Sequence, residues 1–385
     1  MSQSPKPLFP LRVLQLIGSL PVGGAEDLVA AIATGLDPSR FQVQVATIGP
    51  AGPVGEELRQ AKVPVVSLGL DFKHTSAFGL ILAVRRLLKE MQPHILHTHL
   101  YHPNLYGRLG AWGLGLPGVV ASIHNTYTEV KFHRRLWNFV LALRTHRILV
   151  SSPQVWQDVR NYDWVNPARL DILPYGIRLE ELEVTETREA ARELLGVTGF
   201  CLGVVGRLEE QKGHRFLLEA LPQIRQEVPD LTVLLVGSGR EEEALRLKAH
   251  ELDLIGVVRF LGTRRDLPLI FRALDLFVQP SLWEGLPLAL LKAMGSDLAV
   301  VATQVSGVSE VITDGLNGVM VLPGDSAALA RGIIHLARHP ELRMQMGTAA
   351  RHTVAVHYSL TAMLRRLEAL YLDLVERSAG NKKGL

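Results

Sequence analysis

The sequence predicts two α/β domains, each a doubly wound parallel sheet with helices on both faces, the pair facing one another across a central cleft. Three observations lead there. The chain has 385 residues, more than one hydrophobic core usually supports, so two domains of similar size are expected. Short β-branched runs alternate with longer amphipathic segments, the pattern of repeated βαβ units. That alternation pauses once near the middle and then resumes. A composition 47% hydrophobic and 21% charged belongs to a globular chain, so nearly all of it should fold.

The first series of strands comprises LRVLQLI at 11–17, FQVQVATI at 41–48, VPVVSL at 63–68, HILHTH at 94–99, VVASI at 119–123 and RILVSS at 147–152. From 172, ILPYGIRLEELEVTETREAARELLGV supplies a Pro and Gly turn and then a charged helical stretch, the expected inter-domain connection. The second series is FCLGVVG at 200–206, LTVLLVG at 231–237, VVRFLG at 257–262, LDLFVQP at 274–280, LAVVAT at 298–303 and GVMV at 318–321. Residues 327–375 have helical periodicity, interrupted near Pro340 and His357, and the terminal AGNKKGL is expected to fray. The expected division is 1–178, 179–357, and a C-terminal helix at 358–385 that packs back on the first domain.

Composition narrows the function. The net charge is +3 and the isoelectric point about 9.0; Lys and Arg cluster locally without long blocks. That suits anionic small molecules or a membrane face better than duplex nucleic acid. The single cysteine, Cys201, excludes an intrachain disulfide and a zinc-finger spacing, and in FCLGVV it reads as a small buried hydrophobe. The opening MSQSPKPLFPLRV lacks the apolar stretch of ~7–15 residues that a signal peptide needs, and no run approaches the ~20 apolar residues of a membrane span. A cytoplasmic location is expected, with peripheral contact to the inner face of the membrane.

In an open α/β sheet, ligands bind beyond the carboxyl ends of the strands, where loops lead into helix N-termini whose N–H groups favour anions. Three Gly-containing turns qualify. IGSLPVGGAEDLVAAIA places Gly23 and Gly24 between a strand and a helix; a plain tight turn explains them equally well. VVGRLEEQKGHRFLLEALPQI puts Arg207 just after a strand and Lys212 before Gly213 at a helix start, two cations suited to a diphosphate. Glu209 and Glu210 could instead neutralise them in a solvated loop. QPSLWEGLPLALLKAMGSDLAVVAT places Glu284 before a helix expected to start near Leu286, where an acid also serves as an ordinary helix cap.

Jointly these segments resemble the retaining nucleotide-sugar glycosyltransferases of the GT-B architecture, family 4. The resemblance runs in order through GGAE at 23–26, HTHLYHPNLYGRL from 97, SIHNTY from 122, LPYGI from 173, GRLEEQKG from 206, VGSG from 236, PSLWEGLPLALLKAM from 280 and GVSEVITDGLNGVMVLPGD from 307. It implies a first domain that binds the acceptor and a second that binds the donor. It also implies a metal-independent transfer, with the donor as co-substrate and no resident cofactor. Arg207 and Lys212 would hold the diphosphate beside Gly206, Glu284 would bond the sugar hydroxyls, and the backbone of Gly285, Leu286, Pro287 and Leu288, with Gly23 and Gly24, would cradle phosphate and sugar. Gly262, in the segment 260–263, falls where the base is expected, and His124 would sit near the donor sugar and acceptor. No D-x-D occurs in the chain. The implied acceptor is a cell-surface glycan, a lipid-linked sugar or a small molecule.

The pattern breaks at one position. The family's second glutamate, expected after seven intervening residues from Glu284, is here Lys292, which exchanges acceptors for donors and reverses a charge where the ribose is expected. That leaves a degenerate nucleotide-sugar binder as an alternative, beside an epimerase on the same architecture. Smaller departures are Tyr175 and Arg178 in LPYGIR and Asp297 in GSDLAVVAT. A separate feature is VKFHRRLWNFVLALRTHR at 130–147, where Lys131, His133, Arg134, Arg135, Arg144 and Arg147 flank Leu136, Trp137, Phe139, Val140 and Leu143 at helical spacing. It reads either as a membrane-docking helix or as a core-facing helix with solvated charges.

Overall fold

The computed structural model describes residues 10–124 and 132–381, the side chains of 132–134 and 381 excepted. The N-terminal segment, the second half of SIHNTY and the last residues of the tail therefore lie outside the described residues, as do the contributions expected of Lys131, His133 and Arg134. The chain divides into two units, one of 1–175 with 360–385 and one of 176–359.

The first unit is a seven-stranded sheet with strands β1 (Leu11–Ile17), β2 (Phe41–Thr47), β3 (Val65–Ser67), β4 (Ile95–His99), β5 (Gly118–Ile123), β6 (Arg147–Val150) and β7 (Leu170–Ile172). All pairings are parallel, in the order β3-β2-β1-β4-β5-β6-β7. Strand β7 has three residues and is the one strand the hydrophobic runs did not reveal. Parallel strands need crossover helices, which cover both faces and explain why the strands read as continuous apolar runs. The covering helices start where the sequence supplies caps: Ser76 accepts from the Gly79 N–H and Ser152 from the Val155 N–H, with Pro153 in the first turn of the second. Leu14, Leu16, Ile48, Val84 and Leu96 form the core beneath one face.

The second unit holds β8 (Phe200–Val205), β9 (Leu231–Val236), β10 (Val258–Gly262), β11 (Leu276–Gln279), β12 (Val300–Thr303) and β13 (Val319–Val321), again parallel, in the order β10-β9-β8-β11-β12-β13. Its core runs through Leu202, Leu217, Leu221, Val233, Val278, Val301 and Ile333. Cys201 lies fully buried in β8, and burial pushes its thiol up to about 12, consistent with a packing residue. Helices Ser326–Arg338 and Pro340–His357 complete this unit. Helix Leu360–Asn381 belongs to the first unit, where Glu368 receives the Arg40 guanidinium at 3.2 Å and Leu374 packs near Gly118.

Candidate functional site

In each sheet the strand order reverses once, between β1 and β4 in the first unit and between β8 and β11 in the second. Crossovers leave in opposite directions at that point, so the loops beyond the carboxyl ends splay apart. In the second unit these are the loops after β8 and β11, and the structure stitches them together. The Leu282 N–H donates to the Gln211 carbonyl at 2.8 Å, and Gln211 Nε2 donates to the Trp283 carbonyl at 2.9 Å. Gly213, at φ 63°, seats the turn, since a Cβ there would lie 2.0 Å from the Pro280 carbonyl oxygen.

Within this seam Lys212 Nζ lies 2.6 Å from Glu284 Oε1. The same carboxylate oxygen accepts from Ser281 Oγ at 2.7 Å and Gln279 Nε2 at 3.0 Å. Glu284 is buried and does not cap the following helix, so the capping alternative gives way to an ion pair. Glu209 does not claim Lys212 either, because Arg240 lies 3.6 Å from its carboxylate. The lysine stem runs past Gly206, where a Cβ would meet its methylenes at 3.5 Å. Arg207 follows at the surface. An ammonium carries three donors, so Lys212 can hold Glu284 and still bond an anion.

The helix expected from Leu286 starts two residues later, at Leu288–Gly295, after Pro287 in extended backbone. No side chain caps it; the Leu290 and Leu291 N–H groups donate to the Pro287 carbonyl at 3.1 and 3.3 Å, and those of Leu288 and Ala289 point out of the helix start. Gly307 backs the preceding turn so closely that a Cβ there would lie 1.3 Å from the Gly285 carbonyl oxygen, and Ser306 Oγ donates to the Glu284 carbonyl at 2.8 Å. Lys292 sits in the second turn, half-buried. Asp297 takes left-handed backbone at φ 60° and accepts from Arg351 at 3.3 Å; Arg178 pairs with Glu181 at 2.6 Å. At the end of β10, Gly262 adopts φ 63° and its carbonyl accepts from the Gly237 N–H at 2.8 Å, while Ser238 Oγ and Thr263 Oγ1 lie 3.0 Å apart. His214 was not singled out from sequence. It is buried next to Lys212 in the chain, neither ring nitrogen has a hydrogen-bond partner among the described residues, and burial followed by the Lys212 charge holds it down at about 4.

In the first unit, Gly24 opens helix Gly24–Gly35 and Gly23 precedes it in extended backbone, with the Glu26 carboxylate folded against it. His124 lies just past β5 and is buried, with both ring nitrogens engaged: Nε2 faces His99 Nδ1 at 3.3 Å and Nδ1 meets the Tyr175 hydroxyl. Burial holds His124 at about 4, so its ring is neutral at physiological pH. Tyr175, a departure from the family pattern, is thereby a hydrogen-bond partner of the histidine.

Helix Phe132–Ala142 meets the core through Leu141 and Ala142, but the apolar stripe expected there does not. Leu136, Trp137, Phe139 and Leu143 are exposed, joined by exposed Trp112 and Trp164. Arg135 stacks over the Trp164 ring at 4.5 Å and Arg144 over Trp112 at 5.5 Å. Among the described residues no helix is long and apolar enough to cross a membrane.

Comparison with known proteins yields two family matches in succession, "Glycosyltransferase Family 4" over residues 22–181 and "Glycosyl transferases group 1" over residues 187–353. The UDP-Gal:alpha-D-GlcNAc-diphosphoundecaprenol alpha-1,3-galactosyltransferase of Escherichia coli is 26% identical over 307 residues, covering 77% of this chain and 79% of its own. A D-inositol 3-phosphate glycosyltransferase of Corynebacterium diphtheriae is 28% identical over 309 residues, covering 74% and 71%. Among solved structures, Anabaena HepE in complex with UDP and glucose superposes with a TM-score of 0.84 at 21% identity, over 94% of this chain and 99% of that one. WaaG, a glycosyltransferase involved in lipopolysaccharide biosynthesis, gives 0.75 at 20% identity over 93% and 99%.

The buried histidines make acid stability testable. His97 is held at about 3, His99 well below 6.5 and His124 at about 4, each first by burial. They stay neutral when folded, whereas the unfolded chain protonates them below its value near 6.5. Their stabilisation is complete above pH 6.5 and is lost as pH falls, at about 1.4 kcal/mol per pH unit for each histidine. Urea midpoints between pH 7.5 and 4.5 should drop steeply, and less steeply in His99→Gln. A flat profile for the parent protein contradicts the buried neutral state.

Proposed function

The chain belongs to the family 4, group 1 glycosyltransferases with the GT-B fold, and from that premise we propose that it uses a UDP- or GDP-sugar, with retention at the anomeric carbon and no metal. The observation that carries this reading is the Lys212–Glu284 pair at the strand-order reversal of the second unit. It sets a cation for the diphosphate beside a carboxylate for sugar hydroxyls. The UDP and glucose complex of the HepE neighbour and the UDP-sugar in the E. coli relative's name favour UDP.

In the proposed reaction the bond from the anomeric carbon to the donor phosphate breaks, and a bond to the acceptor hydroxyl forms on the same face. The acceptor proton passes to the departing phosphate oxygen. Charge grows on the diphosphate as it leaves, and Arg207, Lys212 and the uncapped N–H groups at Leu288 meet it. Glu284, held by Ser281 and Gln279, orients the sugar. Gly285 keeps a side chain off the approach, as Gly206, Gly23 and Gly24 do in their turns, Pro287 leads the backbone into the helix, and Gly262 borders the base. With both nitrogens engaged, neutral His124 serves as a fixed wall on the acceptor-binding unit, not as a proton carrier. Lys292 would face the ribose side of the nucleotide.

Hydrolysis of UDP- and GDP-sugars, followed by NMR of the released anomer, tests the reading. We expect retained configuration, turnover in the presence of a chelator, and a loss of about 10²-fold or more in kcat for Lys212→Met. Inverted product or strict metal dependence overturns it. If Lys292 replaces a ribose acceptor at a cost, Lys292→Glu should tighten UDP binding about tenfold, the worth of one charged hydrogen bond. Weaker binding in that variant would mean the lysine has its own contact with the nucleotide.

The exposed aromatic face of helix Phe132–Ala142, flanked by Arg135 and Arg144, supports peripheral docking to an anionic membrane and a lipid-linked acceptor such as the E. coli relative's name describes. Co-sedimentation with phosphatidylglycerol vesicles should fall several-fold in the Leu136→Ser, Trp137→Ser double variant. Equal binding by that variant contradicts the assignment.

A further inference from the structure

Seven buried side chains of the first unit form one continuous hydrogen-bonded chain. Ser122 Oγ meets His97 Nε2 at 2.7 Å, and His97 Nδ1 meets the Tyr371 hydroxyl at 2.7 Å. Gln15 Nε2 donates to that hydroxyl at 3.1 Å, and Gln15 Oε1 lies 2.6 Å from His99 Nε2. His99 Nδ1 then faces His124 Nε2, and His124 Nδ1 meets Tyr175. Strand register builds the chain. Gln15 lies beside His97, His99 beside Ser122, and His97 and His99 share one face of β4.

A neutral imidazole has one donor and one acceptor, so each link dictates the next. The Gln15 carbonyl oxygen requires a proton on His99 Nε2. His99 Nδ1 is then an acceptor, so His124 carries its proton on Nε2 and takes the Tyr175 hydroxyl proton at Nδ1. On the other arm, Tyr371 accepts from Gln15, and the acceptor its hydroxyl proton meets among the described residues is His97 Nδ1, which leaves the proton on His97 Nε2 for Ser122. Turning the Gln15 amide over reverses every one of these bonds. A single side-chain amide, clamped by a tyrosine from the C-terminal helix, sets the tautomer of three histidines.

We propose that Gln15 is a positioning residue for the transfer reaction: through Tyr371 on one side and His99 on the other, it fixes the tautomer and ring orientation of His124. The functional half of this inference rests on the glycosyltransfer reading above. The structural half stands without it. The side chains that contribute lie on β1, β4, β5, the C-terminal helix and the segments after β5 and β7, so helix Leu360–Asn381 takes part through Tyr371.

Histidine tautomers are read directly by two-bond nitrogen–proton NMR on the full chain. The parent should show His97, His99 and His124 all protonated at Nε2. In Gln15→Glu, read at a pH high enough to ionise the buried carboxyl, the group only accepts, so Tyr371 must donate to it; His97 should switch alone to the Nδ1 form while His99 and His124 keep theirs. Gln15→Met removes both bonds and should lower kcat tenfold or more with donor KM changed less than twofold, and Gln15→Glu should restore most of that kcat. Three tautomers unchanged in Gln15→Glu, or kcat unchanged in Gln15→Met, overturns the proposal. A parent enzyme without sugar transfer refutes the functional reading alone, because the NMR outcome still decides whether Gln15 governs the histidines.

Discussion

A parallel strand buried on both faces can offer chemistry only where it ends, and that constraint organises this protein. Both sheets are parallel throughout and covered by crossover helices. Polar side chains that must meet a charged ligand therefore collect past the carboxyl ends, and the strand-order reversals are where loops on either side diverge enough to admit one. In the second unit the constraint is met in full. The strands are largely apolar, with Gln279 and Thr303 at the carboxyl ends of β11 and β12, and Lys212, Glu284 and Arg207 lie in the connections beyond strand ends. Their spacing follows from close backbone approaches, since Gly213 lies against Pro280 and Gly307 against Gly285, where any larger residue would displace the loop that carries Glu284.

The first unit departs from that rule. Gln15 and His97 occupy the interior of β1 and β4, His99 is the last residue of β4, and each is fully buried. Such groups are tolerated because every link is hydrogen-bonded and none is charged. A charged imidazole at the same depth would face a desolvation penalty of several kcal/mol with no carboxylate partner to offset it. The depressed histidine values express the same preference, with burial as the first cause in each case.

Much of the fold was legible in the sequence because the strands are apolar runs with clear edges. Twelve of the strands were anticipated to within about two residues, as in LRVLQLI and FCLGVV. Strand β7 escaped because three residues, LDI, carry no periodicity. The candidate site was legible in part. Glu284 and Lys212 were found from their loops, but their contact spans 72 positions, and no local pattern discloses which acid a cation takes. The histidine chain was harder still. HTH at 97–99 displays its i, i+2 repeat openly, yet Gln15 looks like any strand residue and its partner Tyr371 lies 356 positions away. The helix at 132–142 shows the opposite failure: its apolar stripe was plain, but periodicity cannot say whether a stripe faces a core or solvent.

The two units therefore handle polarity by opposite means, and each suits its place in the fold. Where the loops meet, a lysine and a glutamate pair directly, and the partial exposure of Lys212 leaves donors for an anion. Inside the sheet, orientation is carried by neutral groups whose donors and acceptors alternate. An arrangement of that kind transmits no charge, but it transmits direction: one amide orientation sets every bond from Ser122 to Tyr175. A fold that can bury the polar chain completely gains a rigid His124 without placing an ion in its core, and the C-terminal helix, by supplying Tyr371, becomes part of that rigidity.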